Sequence, residues 1–236
     1  MSDRPNIAAL GAERNVPGLV GALTSADSIV QYEAHEALVA LNDPRAFDLL
    51  LPLFSDRRPD VRQSVVSLLA RSGDARAVDA LVPLLQDSNH DVRWSTAGWL
   101  GELGDARAFE PLIALLQADP TAAAASLGKL GDGRATEPLI ALLDHGSSDV
   151  QMRAAYALGE LGDPRAVEPL IKLLEDESPI SLDVRRGAMK ALGQLGDPRA
   201  VGPLVEAASK FGRRDAAAAL QAIGGASAEN ALREWV

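Results

Sequence analysis

Six arginines recur at one position of a repeated phrase: Arg45, Arg76, Arg107, Arg134, Arg165 and Arg199. A row of guanidinium groups could grip a chain of phosphates, because each offers a planar fork of donors to oxyanions. Two facts weigh against that chemistry. The chain carries a net charge of −10, which argues against a general nucleic-acid binder without excluding a local basic patch. A residue needed in every repeat also serves stacking more readily than one site. Other reactive constellations are thin. The three histidines, His35, His90 and His145, stand far apart, and there is no cysteine for a thiol, disulfide or zinc site. Asp87-Ser88-Asn89-His90-Asp91 mimics the first half of a calcium loop, but Val92 replaces the turn glycine and Gly98 stands where the bidentate glutamate belongs. Gly131-Asp132-Gly133 lacks the third glycine of a dinucleotide fingerprint, and no Gly-x-Ser-x-Gly elbow or phosphate loop occurs. Neither a metal nor a catalytic group is expected.

The elements that carry these residues follow from the spacing. The phrase Leu-Gly-Asp-[Ala/Pro]-Arg-Ala places its aspartate at Asp43, Asp74, Asp105, Asp132, Asp163 and Asp197, in steps of 31, 31, 27, 31 and 34 residues. Degenerate copies stand at Leu10-Gly11-Ala12-Glu13-Arg14 and at Gly225. Such a period signals a solenoid, in which each unit buries its apolar face against its neighbours. Within one unit, Gly162 stops a helix in a left-handed turn, Asp163 caps the next and Pro164 is preorganised at its first position. Val167, Leu170, Ile171 and Leu174 then form the stripe of a half-buried outer helix, which Pro169 should bend. Asp149-Val150 and Asp183-Val184 open the second helix type, with the aspartates as expected caps and with Val150, Ala154, Ala157, Leu158 and Leu161 as a buried stripe. Alternating β-branched runs are absent, so the fold is all-α. We expect one continuous array over 1–236, of about seven units ending near 42, 73, 104, 131, 162, 196 and 224. Residues 225–236 should close it as a cap, with Leu232 and Trp235 over Leu220 and Ile223. The fourth unit lacks four residues near its interhelical loop, and the sixth has three extra in Glu177–Leu182, a longer loop open to two readings, a contact surface on one rim or neutral drift.

The chain resembles the HEAT-like repeats first named for phycobilisome lyases, whose pattern runs roughly D-V-R-x-x-A-A-x-A-L-G-x-L-G-D-P-R-A-V-x-P-L-I-x-L-L. The resemblance covers nearly all of the chain and is strongest at 60–117 and 132–207. It implies a right-handed α-solenoid of antiparallel helix pairs, HEAT/armadillo-like, with second helices lining a concave face. It also implies that the recurrent arginines pair with Asp60, Asp91, Asp149 and Asp183 or with loop carbonyls between units. The family includes a di-iron hydroxylase with several His-Glu pairs, of which this chain has one, His35-Glu36.

On the second helices, helical spacing sets four positions per unit opposite the apolar stripe. They run from Tyr32, Glu33, Glu36 and Ala40 through Gln63, Ser64, Ser67 and Arg71 to Trp94, Ser95, Gly98 and Glu102. Thr121, Ala122, Ala125 and Lys129 follow, then Met152, Arg153, Tyr156 and Glu160, and last Arg186, Gly187, Lys190 and Gln194. Their chemistry passes from acidic through aromatic to basic. Aromatic residues make up 4% of the chain, so large side chains on a solvent face suit an interface anchor, although isolated exposed apolar residues are common. The expected partner site on the concave face is Tyr32, Trp94, Met152, Arg153, Tyr156, Arg186 and Lys190. Trp99, at a position other units give mostly to alanine, should pack in the core.

These features describe a non-enzymatic interaction scaffold without a cofactor, holding another protein in its groove, with acidic groups meeting Arg153, Arg186 and Lys190. The resemblance supplies an alternative, a bilin lyase or chromophore-handling subunit, whose tetrapyrrole would stack on aromatic rings and pair its propionates with arginine. No apolar stretch reaches the 18 or so residues of a membrane span, and Met1–Pro5 lacks the regions of a signal peptide, so a cytoplasmic protein is expected. The oligomeric state is not legible.

Overall fold

At each corner of the structure two to five residues separate the end of a second helix from the next helical turn. In the computed structural model, which describes residues 5–176 and 181–235, Gly162 takes φ 68° and Asp163 accepts from the Arg165 amide at 2.9 Å. The first corner uses Asn42 at φ 40° instead, asparagine being the residue that best tolerates this region after glycine. Beyond the corner comes one 3₁₀ turn, Pro164–Ala166, before the outer α-helix starts at Val167.

The described residues form no strand, and they fall into two compact units, Met1–Ala108 and Phe109–Val236. The first holds α1 (Ile7–Ala12), α2 (Val16–Ala22), α3 (Ser28–Leu41), α4 (Ala46–Leu50), α5 (Pro59–Arg71), α6 (Ala77–Leu81) and α7 (His90–Leu103). Its second helices α3, α5 and α7 lie side by side, backed by the outer helices. The second unit repeats the plan. Outer helices α8 (Phe109–Leu115), α10 (Thr136–Ala141), α12 (Val167–Glu175) and α14 (Val201–Phe211) alternate with second helices α9 (Pro120–Leu130), α11 (Ser148–Leu161), α13 (Leu182–Leu195) and α15 (Arg213–Ile223). Helix α16 (Gly225–Arg233) begins where the cap is expected, packs on α14 and α15 and buries Ala228, while Trp235 receives the Arg213 guanidinium. Fully buried leucines fill the space between the two layers, among them Leu69, Leu81 and Leu100 in the first unit and Leu127, Leu158 and Leu170 in the second.

The prolines of the outer helices act in two ways. Pro169 is the third residue of α12, in the first turn, where no amide donor is needed, so the expected bend becomes the 3₁₀ turn before it. Pro52 and Pro83 sit three residues deeper, and there the helix changes from α to 3₁₀ at Leu51 and Val82.

The second helices begin differently from expectation. Asn89 and Ser181 provide the caps, accepting from the amides of Asp91 and Asp183 at 2.9 and 3.2 Å. The aspartates of the Asp-Val pairs therefore lie in the first turn, where a negative charge meets the positive end of the helix dipole. In the short unit the missing residues come out of the helix: α9 has 11 residues where α7, α11 and α13 have 14. Of the extra residues in the sixth unit, 177–180 lie outside the described residues.

Three glycines set how closely the second helices of the second unit approach. A Cβ on Gly128, Gly159 or Gly193 would stand 2.7, 2.8 or 2.9 Å from the Cα of Ala157, Ala191 or Ala219 on the next second helix. Backbone meets backbone there, as only glycine facing alanine permits.

Candidate functional site

The recurrent arginines are structural, though not in the expected pairing. Arg76, Arg107, Arg165 and Arg199 each close a fork on their own corner aspartate and reach back to an acid on the preceding outer helix, Asp48, Asp79, Glu137 and Glu168, at 3.0, 2.6, 3.2 and 3.0 Å. The aspartates of the Asp-Val pairs are out of reach because they open the far end of the second helix, which at 14 residues is about 21 Å long. Part of the expectation holds: Arg107 and Arg165 also donate to the carbonyls of Ala75 and Gly133 in the neighbouring repeat. The guanidinium forks pull every corner carboxyl below its usual range, Asp105 to about 2.

A second set of side-chain donors, three arginines and one glutamine, satisfies the last carbonyls of the outer helices. Arg93 donates to Asp87 O, Gln151 to Leu143 O, and Arg185 to Leu174 O and Asp176 O. Arg62 donates to Asp56 O at 2.7 Å and forms a bidentate pair with Asp87 at 2.7 and 2.7 Å, both side chains buried. The calcium-like stretch is thereby committed to structure, with Asp87 on Arg62 and Asn89 capping α7. Among the described residues no three acids, histidines or cysteines come together to hold a metal.

With both ladders engaged, the candidate site rests on the second helices, and each unit presents its own face. In the first unit an open hollow of about 610 Å³ is lined by Tyr32, His35, Gln63, Ser67, Ser95 and Trp99. Tyr32 is 66% exposed. Trp99, expected in the core, is half-buried in this wall, since Ser95 and Trp99 share one face of α7. Trp94 is half-buried and stacks on His90 one turn earlier, 6.2 Å between centroids, away from the lining. His35 Nδ1 is buried without a hydrogen-bond partner, and burial lowers the imidazole pKa.

In the second unit, Arg153 and Tyr156 on α11 and Arg186 and Lys190 on α13 come together. The Lys190 ammonium lies 5.0 Å from the centre of the Tyr156 ring. Two hollows adjoin there, about 210 and 310 Å³, and share Tyr156, Lys190 and Gln194 as a common wall. The first adds Lys129 and Arg153 with Glu160, and the second adds Arg186 with Asp215. Arg186 is steadied by Asp183 and Asp215 at 3.2 and 3.1 Å, and Arg153 lies 3.9 Å from Asp149. Met152 stands apart, packed where α11 meets Gly187 of α13. Ala122 and Gly187, expected to face outward, are buried, Gly187 because α13 approaches Met152 and Ala155 of α11 closely. Asp215 was not foreseen. Its signal was an acid 29 residues after Arg186, nearly one repeat on.

Stacked helix pairs that bury their faces on one another and hold variable side chains on one layer define an α-solenoid. Residues 6–67, 50–126, 121–182 and 136–224 match the family described as HEAT repeats, and the chain belongs to it. Among solved structures it is similar to the complex of CpcE and CpcF of phycocyanin lyase from Nostoc sp. PCC7120, at 24% identity over 92% of each chain with a TM-score of 0.54. It is also similar to a chain from the structure of Kap95p with RanGDP, at 15% identity and TM-score 0.67, and to importin beta, at 18% and 0.64. The chain covers 39% and 38% of those two, and 97% and 92% of its own length is matched. These likenesses show the solenoid fold. No curated protein matches the sequence significantly. Among the described residues no helix is long and apolar enough to cross a membrane.

Proposed function

We propose that this protein is a non-enzymatic scaffold whose second-helix layer holds a protein partner, and that the partner presents acidic groups to the second unit around Tyr156. The observation that carries this is the gathering of Lys129, Arg153, Arg186 and Lys190 about one aromatic ring, outnumbering Glu160 and Asp215 in the same linings, on a chain of net charge −10. Local charge opposed to the whole is what selects and orients an acidic partner. Tyr156 supplies a rigid aromatic surface, of the kind that anchors interfaces at low entropic cost.

The test is recovery of the partner from the native lysate by the full chain, followed by titration of variants. Tyr156→Ala should cost about 1–3 kcal/mol of binding. Lys190→Glu should weaken the complex further and flatten its salt dependence. Undiminished binding by both, at unchanged melting temperature, would move the site off this face. Adding a free bilin instead and recording its visible spectrum tests the chromophore reading, which an absorption shift abolished by Tyr156→Ala would install in place of the scaffold.

A further inference from the structure

We propose that the acidic partner segment enters the second unit as a polyproline II strand with an acidic residue at every third position. This rests on the acidic-partner reading above and adds its conformation and register.

The two hollows are displaced by one step of the second-helix array: one lies among α9, α11 and α13, the other among α11, α13 and α15. Packed helices stand about 8–10 Å apart. The contacts of Gly128, Gly159 and Gly193 with the alanines opposite hold this array toward the short end of that range. A segment with one acid in each hollow must therefore place two like side chains about 9 Å apart on one face.

Regular conformations differ in whether they can do so. A β-strand repeats its face every two residues, at about 6.7 Å, and next at about 13 Å, straddling the required distance. An α-helix returns to one face at about 6 Å after four residues and about 10.5 Å after seven, so it too straddles the required distance. Polyproline II has three residues per turn and a rise of about 3.1 Å, so positions i and i+3 share a face about 9.3 Å apart.

The wall between the hollows suits such a strand. Tyr156 lines both hollows, so the segment between the two acids must cross an aromatic side chain, as proline-rich segments do in aromatic grooves. Lys190 stands over that ring and reaches both hollows, with Arg153 on one side and Arg186 on the other. Asp215 holds Arg186 by an exposed pair at 3.1 Å, which an incoming carboxylate can replace.

The experiment titrates the full chain with fluorophore-labelled synthetic peptides, followed by anisotropy. One is a proline-rich heptapeptide with glutamate at every third position. The second has the same composition with its glutamates adjacent, and the third is the first with lysine for glutamate. We expect the first to bind at least tenfold more tightly than the second, with Arg153→Glu and Lys190→Glu each lowering its affinity at least tenfold. Melting curves of both variants should overlay the parent's, since these side chains are outside the core. Should either fail to fold, Lys190→Gln replaces it, with a smaller loss in the same direction. Equal binding of the two acidic peptides overturns the three-residue register and leaves the acidic-partner reading standing. Binding of neither acidic peptide, or preference for the lysine peptide, overturns both.

Discussion

Arg62 and Arg76 belong to the two arginine ladders, and their surroundings give them unequal weight. Arg62 is buried against Asp87, with two bonds of 2.7 Å, and closes the Asp56 carbonyl as well. Removing one partner of a buried pair strands the other charge, which typically costs about 3–5 kcal/mol. Arg76 pairs with Asp74 and Asp48 at an exposed edge, where such pairs contribute roughly 0–1 kcal/mol. Arg62→Ala should therefore lower the chemical-denaturation midpoint severely and Arg76→Ala only slightly, and equal losses would contradict this division. Ser72 gives a prediction of opposite sign. It stands where Leu41, Leu103, Leu130, Leu161 and Leu195 stand in other repeats, and a hollow of about 210 Å³ opens beside it, walled by Leu38, Phe47 and Leu69. Ser72→Leu should fill it. The gain is about 1 kcal/mol, less than full burial of a leucine, because the hydroxyl's bond to Leu69 O is lost, the Asp74 amide loses its acceptor there, and the residue is half-buried. A rise of a few degrees in melting temperature is the expected readout. The Gly-Asp corner could be read from sequence because its demands are met within four residues. The partners of each arginine could not, since they depend on which end of a helix the neighbouring repeat presents.

At the scale of helices, stacking distance is set by glycines that the apolar pattern alone does not flag. Alanines on the buried stripe were legible as permitting close packing. The decisive contacts involve Gly128, Gly159 and Gly193, which look like ordinary helix-weakening residues until the adjacent helix is in place. A side chain at Gly159 must displace the backbone of Ala191, which lies 2.8 Å from the new Cβ. Gly159→Val should thus cost about 2 kcal/mol by overpacking, outweighing its small propensity gain, and lower the melting temperature by several degrees. Gly98 provides the contrast. It sits inside α7 with nothing within 4 Å of an added Cβ, so Gly98→Ala should stabilise by up to about 1 kcal/mol through helix propensity. If both substitutions moved stability in the same direction, backbone contact would not be what holds the second helices at their spacing. Trp94 and Trp99 show the same limit on reading one helix alone. Helical periodicity sets Trp94 opposite the buried stripe and Trp99 toward the core, and only packing of the adjacent helices decides that Trp99 lines the hollow while Trp94 leans on His90.

At the scale of the whole chain, the corner carboxylates make stability depend on acid in a definite direction. Asp43, Asp74, Asp105, Asp132, Asp163 and Asp197 are each held below their ordinary value first by the side-chain hydrogen bond of the arginine two residues on, and next by that residue's backbone amide. A carboxyl whose folded pKa is depressed binds fewer protons than in the unfolded chain once the pH nears the unfolded value of 3.8. Its contribution is thus complete above that value and is lost as the pH falls toward the folded pKa, about 2 for Asp105. The melting temperature should be nearly level from neutral pH to about pH 5 and fall between about pH 4 and pH 2, as the corners are protonated. Helicity followed by circular dichroism across this range reads the effect. Asp105→Asn keeps an oxygen acceptor for the Arg107 amide but carries no titrating charge, so it should lower the melting temperature at neutral pH and make its fall below pH 4 shallower. A variant whose acid profile parallels the parent's would show that the corner pairs do not govern acid stability, and would assign the transition to the carboxylates on the outer faces instead.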